Sequence, residues 1–278
     1  MTLRALCSTL TLAAALLVTG TGQSSADTAG AEYVALGDSG AATTGAQNLD
    51  TGAPLVCLRS TTNTPRFVAA SLGLRLDDRS CSSARIPHLT TSQSAGVAPQ
   101  FDGLGPGTKL VTVHIGANDA QFTSHIVGCQ AAAVSGGCAG RGERWDADID
   151  GIAGSYAAAL REISRRAPNA TVVVDGWPQY MRDGGCPELL GLAAGDAGFI
   201  QSKFDRLNTV VAREAVAHGA IYVSTREASA GRDACAPAGV RWIEPVVATQ
   251  TLLPYHPTVE GMRGVAEVIV AGVRAADR

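Results

Sequence analysis

Apolar and polar positions along this chain follow two periods. Four short runs are dominated by apolar and β-branched residues: Tyr33 to Leu36, Lys109 to Ile115, Thr171 to Val174 and Ala220 to Val223. Runs of this length without polar alternation predict strands buried on both faces, as in a parallel sheet. The first two stop at Gly37 and Gly116, the third meets Asp175-Gly176, and the fourth follows His218-Gly219. Between them the period becomes helical. Pro65 to Leu72 is alanine-rich and opens with a proline suited to a first turn. Asp148 to Arg166 sets Ile149, Ile152, Tyr156, Ala159, Leu160 and Ile163 on one stripe before Pro168. Phe199 to Ala217 repeats the pattern with Gly219 as its C-terminal cap, and Thr258 to Ala275 carries Met262, Val265, Val268, Ile269 and Val273. Strands alternating with helices predict an α/β fold, a three-layer α/β/α sandwich with a mainly parallel central sheet and right-handed crossovers. With no repeat or low-complexity linker, residues 27–278 are expected to form a single domain.

The N-terminus departs from this pattern. Arg4 precedes an apolar run from Leu10 to Val18 that is too short to span a bilayer, and Ser24-Ser25-Ala26 supplies small residues for cleavage. Residues 1–26 therefore read as a signal peptide, with a mature start near Asp27 and a secreted, extracellular product. Loss of Arg4 leaves the mature chain one unit more negative than the −3 of the whole sequence. Cys7 falls within the leader. The remaining Cys57, Cys81, Cys129, Cys138, Cys186 and Cys235 are expected to form three disulfides, their pairing left open by the residues themselves. A chain that is 46% hydrophobic and 17% charged is not disordered. A pI near 5.9 gives no basic footprint for nucleic acid. No CxxC or Cys/His cluster has metal-ligand spacing, so neither metal nor cofactor is expected.

In a parallel sheet, ligands bind beyond the carboxyl ends of the strands. After the first strand stands Gly37-Asp38-Ser39-Gly40-Ala41-Ala42-Thr43-Thr44-Gly45. A phosphate-binding loop needs Gly-Lys-Ser/Thr, but Gly45 is followed by Ala46-Gln47; a nucleophile elbow needs G-x-S-x-G, but the last position is Ala41. What remains is a serine at a strand end between glycines that admit a close neighbour. After the second strand, Gly116-Ala117-Asn118-Asp119 offers an amide donor at Asn118, or equally an Asx turn. Before the last helix, Pro254-Tyr255-His256-Pro257-Thr258 offers an imidazole able to take a proton near neutral pH. Each segment alone has an ordinary structural reading. Together, serine, asparagine and histidine are the parts of acyl transfer, placed at one sheet edge.

The blocks YVALGDS, HIGAND and YHPTVEG resemble those of the GDSL (SGNH) hydrolases, more narrowly the secreted bacterial lipase/esterase branch. The likeness runs from about Tyr33 to the C-terminus and includes Cys57-x-Arg59-Ser60 and Cys81-Ser82-Ser83-Ala84. It implies the flavodoxin-like SGNH-hydrolase fold and hydrolysis of carboxylic esters. It also implies Ser39 as nucleophile, His256 as general base, and an oxyanion hole from the Ser39 N–H, Asn118 and the second block. Asp38 would orient the nucleophile loop and Asp119 would brace the Asn118 loop. The implied disulfides are Cys57–Cys81, Cys129–Cys138 and Cys186–Cys235. Two positions depart from the family pattern. Ser83 stands where a glycine usually donates to the oxyanion, so its backbone N–H is assigned that task. Leu253 stands where many members carry the aspartate that supports the histidine. The expected support is the Leu253 backbone carbonyl; Glu244 and Glu260 are the alternative acids.

The other histidines read as structural: His114 inside a strand, His218 at a helix end, His88 and His125 in loops. Trp145, Trp177 and Trp242 are assigned to the core or a pocket wall, Trp177 following the third strand. The enzyme is expected to act as a monomer on a small-molecule or lipid ester, without nucleic acid or a stable membrane anchor. A phospholipase, a polysaccharide deacetylase and a catalytically impaired extracellular binding protein are the competing readings.

Overall fold

The computed structural model describes residues 31–43, 48–193, 195–276 and 278, so the leader and its cleavage boundary lie outside the described residues. The strands are β1 (Tyr33–Gly37), β2 (Leu76–Asp78), β3 (Leu110–His114), β4 (Thr171–Asp175) and β5 (Ile221–Val223). All neighbours pair in parallel, in the order β2-β1-β3-β4-β5. The helices are α1 (Ser39–Ala42), α2 (Thr64–Leu72), α3 (Phe122–Ala132), α4 (Glu143–Gly151), α5 (Ala153–Arg166), α6 (Asp196–Ala217) and α7 (Val259–Ala276).

Successive strand residues point to opposite faces of the sheet. Tyr33, Ala35, Leu110 and Val173 turn toward Val68 of α2 and Val265 and Ile269 of α7. Val34, Leu36, Val111, Val113 and Val174 turn toward Tyr156, Leu160 and Ile163 of α5 and Ile200 and Leu207 of α6. Both faces are covered, which is why the strand runs are apolar throughout rather than alternating. The three-layer α/β sandwich is thus the observed architecture.

Local chemistry sets the element boundaries. Asn63 caps α2 by accepting from the Arg66 N–H, proline occupies the first turn, and Gly73 ends the helix in the left-handed region at φ 67°. The single helix expected over 148–166 is two, α4 and α5, meeting at Ile152. Gly151 and Gly154 flank the junction, where weak helix propensity lets the axis break. Strand β2 was not expected: its three residues, Leu-Asp-Asp, carry no apolar run, and it pairs at the sheet edge with β1 alone. Helix α3 was also not expected, and it becomes important at the site.

Three disulfides, Cys57–Cys81, Cys129–Cys138 and Cys186–Cys235, tie the loops, and they are the pairs the resemblance implied. The last closes the longest stretch, 49 residues, and so restricts the unfolded chain most. Replacing both Cys186 and Cys235 by alanine is expected to cost about 4 kcal/mol of stability, read as a larger fall in denaturation midpoint than removal of Cys129–Cys138.

Candidate active site

The strand order reverses between β1 and β3, the switch point at which such sheets open a crevice beyond their carboxyl ends. The segments leaving these two strands carry Ser39 and Asn118. Gly37 ends β1 with its N–H on Gln100 Oε1 at 2.8 Å, while its carbonyl accepts from Gln100 Nε2 at 2.9 Å and from the Cys81 N–H at 3.1 Å. The Asp38 N–H donates to the His114 carbonyl at 3.0 Å, and the Asp38 carboxylate accepts from the Gly40 N–H at 2.8 Å, capping α1. Ser39 therefore begins a helical turn, partly exposed, where backbone N–H groups have no intrahelical partner and favour negative charge.

The second block is drawn alongside by the Cys57–Cys81 disulfide and the Cys81-to-Gly37 bond. Ser83 lies at φ 64°, the left-handed region that glycine enters freely and that costs other residues about 1–2 kcal/mol. Ser83, at the position where the resemblance implies a glycine, thus holds a backbone conformation that glycine enters freely. Asn118 Nδ2 donates to the Ala84 carbonyl at 2.9 Å, which leaves its second N–H for a ligand. The Asp119 carboxylate accepts from the Ile86 N–H at 3.1 Å with either oxygen and so braces the two loops against each other.

The histidine segment arrives from the other end of the chain. Pro257 forms an antiparallel bridge with Ile243, and the Glu244 N–H donates to the His256 carbonyl at 2.9 Å. The His256 Nδ1 donates to the Pro254 carbonyl at 2.9 Å. This corrects the expectation of Leu253, whose carbonyl adds a weaker pull on the ring and already accepts from Thr251 Oγ1 at 2.6 Å. The reason is backbone geometry. Tyr255 at φ 59° reverses the chain and folds the imidazole back over the carbonyl two residues earlier. The alternative acids are otherwise engaged: Glu244 with Arg241, Thr249 and Gln250, and Glu260 with Gln250. A carbonyl only accepts, so Nδ1 carries the hydrogen and Nε2 is left as the base. Burial holds this histidine below its usual value of 6.5, against the raising effect of the two carbonyls.

Asp38, Ser39, Asn118, Leu253, Pro254 and His256 line one cavity of about 300 Å³. Ser83 is exposed and stands beside the cavity through the Asn118–Ala84 link rather than on its wall. Among the described residues no hydrogen bond joins Ser39 to His256. Most of the remaining wall is apolar, with Phe122, Ile126 and Val127 of α3 beside Trp177, Tyr180 and Phe204, while Thr123 and Gln130 of α3 add two polar side chains. Trp177 is thus a pocket residue, whereas Trp145 and Trp242 are core. His125, expected in a loop, lies in α3, stacked on Trp145 with ring centroids 4.7 Å apart and bonded to Asp148 at 2.8 Å.

Sequence reasoning passed over His114. It ends β3 beside Asp175 of β4, its Nδ1 2.8 Å from Asp175 Oδ2, with both side chains buried. Burial works against its charge, but Asp175 and then Asp38 overcome that and raise it to about 9. Burial raises Asp38 to about 6, with the His114 charge opposing the rise. The available signal was a histidine inside a strand that should be apolar on both faces, with an aspartate ending the next strand.

The sequence model of the GDSL-like lipase/acylhydrolase family matches residues 35–263. Lipase 2 of Streptomyces coelicolor is 43% identical over 249 residues, 85% of this chain and 83% of that protein. The crystal structure of the extracellular lipase of Streptomyces rimosus has a TM-score of 0.75 at 30% identity, covering 86% of this chain and 98% of that one. A phospholipase A1 structure from Streptomyces albidoflavus has a TM-score of 0.74 at 28% identity, covering 88% and 99%. The site thus sits on the scaffold of an ester hydrolase. The chain belongs to the GDSL-like lipase/acylhydrolase family, which sets aside the reading as a binding protein.

A raised His114 has a consequence for stability. The folded imidazole binds its proton more tightly than the unfolded one, so that contribution is complete below pH 6.5 and is lost as pH rises through about 9. The melting temperature is therefore expected to fall between pH 6.5 and 9; a flat or rising curve over that window would show an uncharged ring.

Proposed function

We propose that this enzyme is a secreted lipase or esterase, a single catalytic unit after its leader, which works through an acyl-enzyme on Ser39. Ser39 Oγ attacks the ester carbonyl while His256 Nε2 takes its proton. The charge on the carbonyl oxygen is met by the Ser39 N–H, the free N–H of Asn118 and the Ser83 N–H. Collapse of the tetrahedral intermediate breaks the bond to the alkoxy oxygen, which receives the proton from the His256 imidazolium. Water then attacks the acyl-enzyme with His256 again as base, releasing the acid and restoring Ser39. The Pro254 carbonyl holds the reactive tautomer without the charge that a carboxylate would add. The observation that carries this reading is the convergence of Ser39, Asn118 and His256, from three distant segments, on one apolar cavity.

Export is supported by the leader pattern, by three disulfides and by the likeness to an extracellular lipase. Among the described residues no helix is long and apolar enough to cross a membrane. A phospholipase is the second reading, favoured by the phospholipase A1 likeness. Release of fatty acid from phosphatidylcholine at a rate matching a simple ester of equal chain length selects it. The wall is mainly aromatic and aliphatic, which favours an acyl chain over the sugar ring that a deacetylase would bind.

Ser39→Ala is expected to reduce ester hydrolysis to background and abolish labelling by a fluorophosphonate probe; retained turnover refutes the acyl-enzyme. Asn118→Ala is expected to lower kcat about a hundred- to a thousand-fold with little change in KM. The pH profile of kcat/KM is expected to hold its plateau to below pH 6.5, because His256 must be neutral to act and is held low. Each methylene buried is worth about 0.8 kcal/mol, or roughly fourfold in kcat/KM, until the wall is covered. With p-nitrophenyl esters the rate should therefore climb from acetyl to medium chains and then level off. A maximum at acetyl counts against an acyl-binding wall.

A further inference from the structure

Beneath the Ser39 turn lies a buried charged cluster that the ester chemistry does not touch. His114 and Asp175 end adjacent strands and form an ion pair at 2.8 Å with side chains only 8% and 4% exposed. The other ring nitrogen of His114, Nε2, and the Asp38 Oδ2 are both buried without a hydrogen-bond partner. The His114 ring and the Asp38 carboxylate both border Gly40, with no hydrogen bond between them. A Cβ on Gly40 would sit 2.3 Å from His114 Nε2 and 3.2 Å from Asp38 Oδ1. Residue 40 must be glycine because the ring lies directly against its backbone. Trp177, on the cavity wall, rests against the ring with centroids 4.6 Å apart.

Two buried carboxylates thus flank one imidazole, and among the described residues no lysine or arginine pairs with either. The other groups that feel these charges are Asp119, beyond Asp38, and the phenols of Tyr33, Tyr156, Tyr180 and Tyr222, which burial keeps neutral. Helices α2 and α7 present Pro65, Met262, Val265 and Ile269 to the small cavity beside the ring, none of them charged. A neutral ring with its hydrogen on Nδ1 would leave the buried Nε2 lone pair without a donor and both carboxylates without a compensating charge. A protonated ring supplies the one compensating charge.

We propose that the His114–Asp175 pair positions the nucleophile: clamped by Asp175, a protonated His114 holds the ionised Asp38 carboxylate over Gly40 and so fixes the helical turn that aims Ser39 into the cavity. The inference rests on the reading of Ser39 as nucleophile. His114 touches neither substrate nor reacting atoms in this scheme. It acts through Asp38, whose carboxylate accepts the Gly40 N–H and thereby sets the first turn of α1. Losing the imidazolium removes the charge that opposes the burial-driven rise of Asp38, and so weakens the charge on the cap of the turn.

The test compares wild type, His114→Gln, Asp175→Asn, the double variant and Ser39→Ala at pH 7.5. Each is assayed for kcat and KM on p-nitrophenyl butyrate, for rate of labelling by a fluorophosphonate, and for melting temperature. The proposal expects both single variants to lose at least tenfold in kcat and in labelling rate, with KM held within twofold. It expects the double variant to be no slower than the worse single, because the pair acts as a unit. In nitrogen-detected NMR of wild type, both His114 ring nitrogens should carry protons at pH 7.5, and Asp175→Asn should lose one. A folded Asp175→Asn with unchanged kcat overturns the proposal, as does a wild-type ring with one bare nitrogen. Should His114→Gln fail to fold, the near-isosteric Asp175→Asn and the wild-type spectrum still decide. If Ser39→Ala stays active, the nucleophile reading fails instead, and the spectrum reports on the pair independently.

Discussion

The close approach of the chain leaving β1 to the end of β3 is the constraint from which the rest of the site follows. Gly37 and Gly40 have no room for a side chain: a Cβ on either would lie within 2.8 Å of His114, its carbonyl in one case and its ring in the other. Because the turn is pressed onto β3, the Asp38 N–H reaches the His114 carbonyl, Asp38 caps a single helical turn, and Ser39 emerges at the crevice. The same contact seals a histidine and two carboxylates under the reacting group. The short turn is thereby held by backbone bonds, by packing and by buried charge at once.

Around that turn, different forces bring in the other segments. A disulfide and a backbone bond to Gly37 deliver the second block, with Ser83 accepting a left-handed conformation that a glycine would adopt at lower cost. A side-chain amide and a carboxylate stitch that block to the loop after β3. The histidine arrives on a bridge to Ile243 and is set by the reversal at Tyr255, whose hydroxyl accepts from Gln130 Nε2 of α3 at 3.3 Å. The polar machinery thus collects on one side of the cavity, while α3 and the aromatic residues after β4 and on α6 make the other side apolar. An ester, polar at its carbonyl and apolar along its chain, matches that division.

Legibility in the sequence follows physical lines. Strands β1, β3, β4 and β5 were readable because each is an unbroken apolar or β-branched run, and α2, α6 and α7 because one buried face leaves a stripe. Strand β2 was not, since an edge strand of Leu-Asp-Asp carries no burial pattern. Helix α3 was not, since Phe122, Ile126 and Cys129 are buried while Val127 in its middle and Val134 just beyond its end are exposed. Apolar residues on both sides erase the stripe, as suits a helix that lines an open cavity. In the site, Ser39, Asn118 and His256 stood out by chemistry at strand and helix ends. His114 did not, because a histidine in a strand gains meaning only when Asp175 is known to lie beside it.

The alternation of the apolar strands with the striped helices, the likeness that names the family, and the residue types able to attack, accept and donate were settled by the amino-acid order, since periodicity and block motifs are local properties. Which carbonyl holds the imidazole, which conformation Ser83 adopts, what walls the cavity, and that two carboxylates share one buried ring were decided only by the folded chain. Those facts depend on distances between segments far apart in sequence and on single backbone angles, such as that of Tyr255, which a string of residue types does not contain.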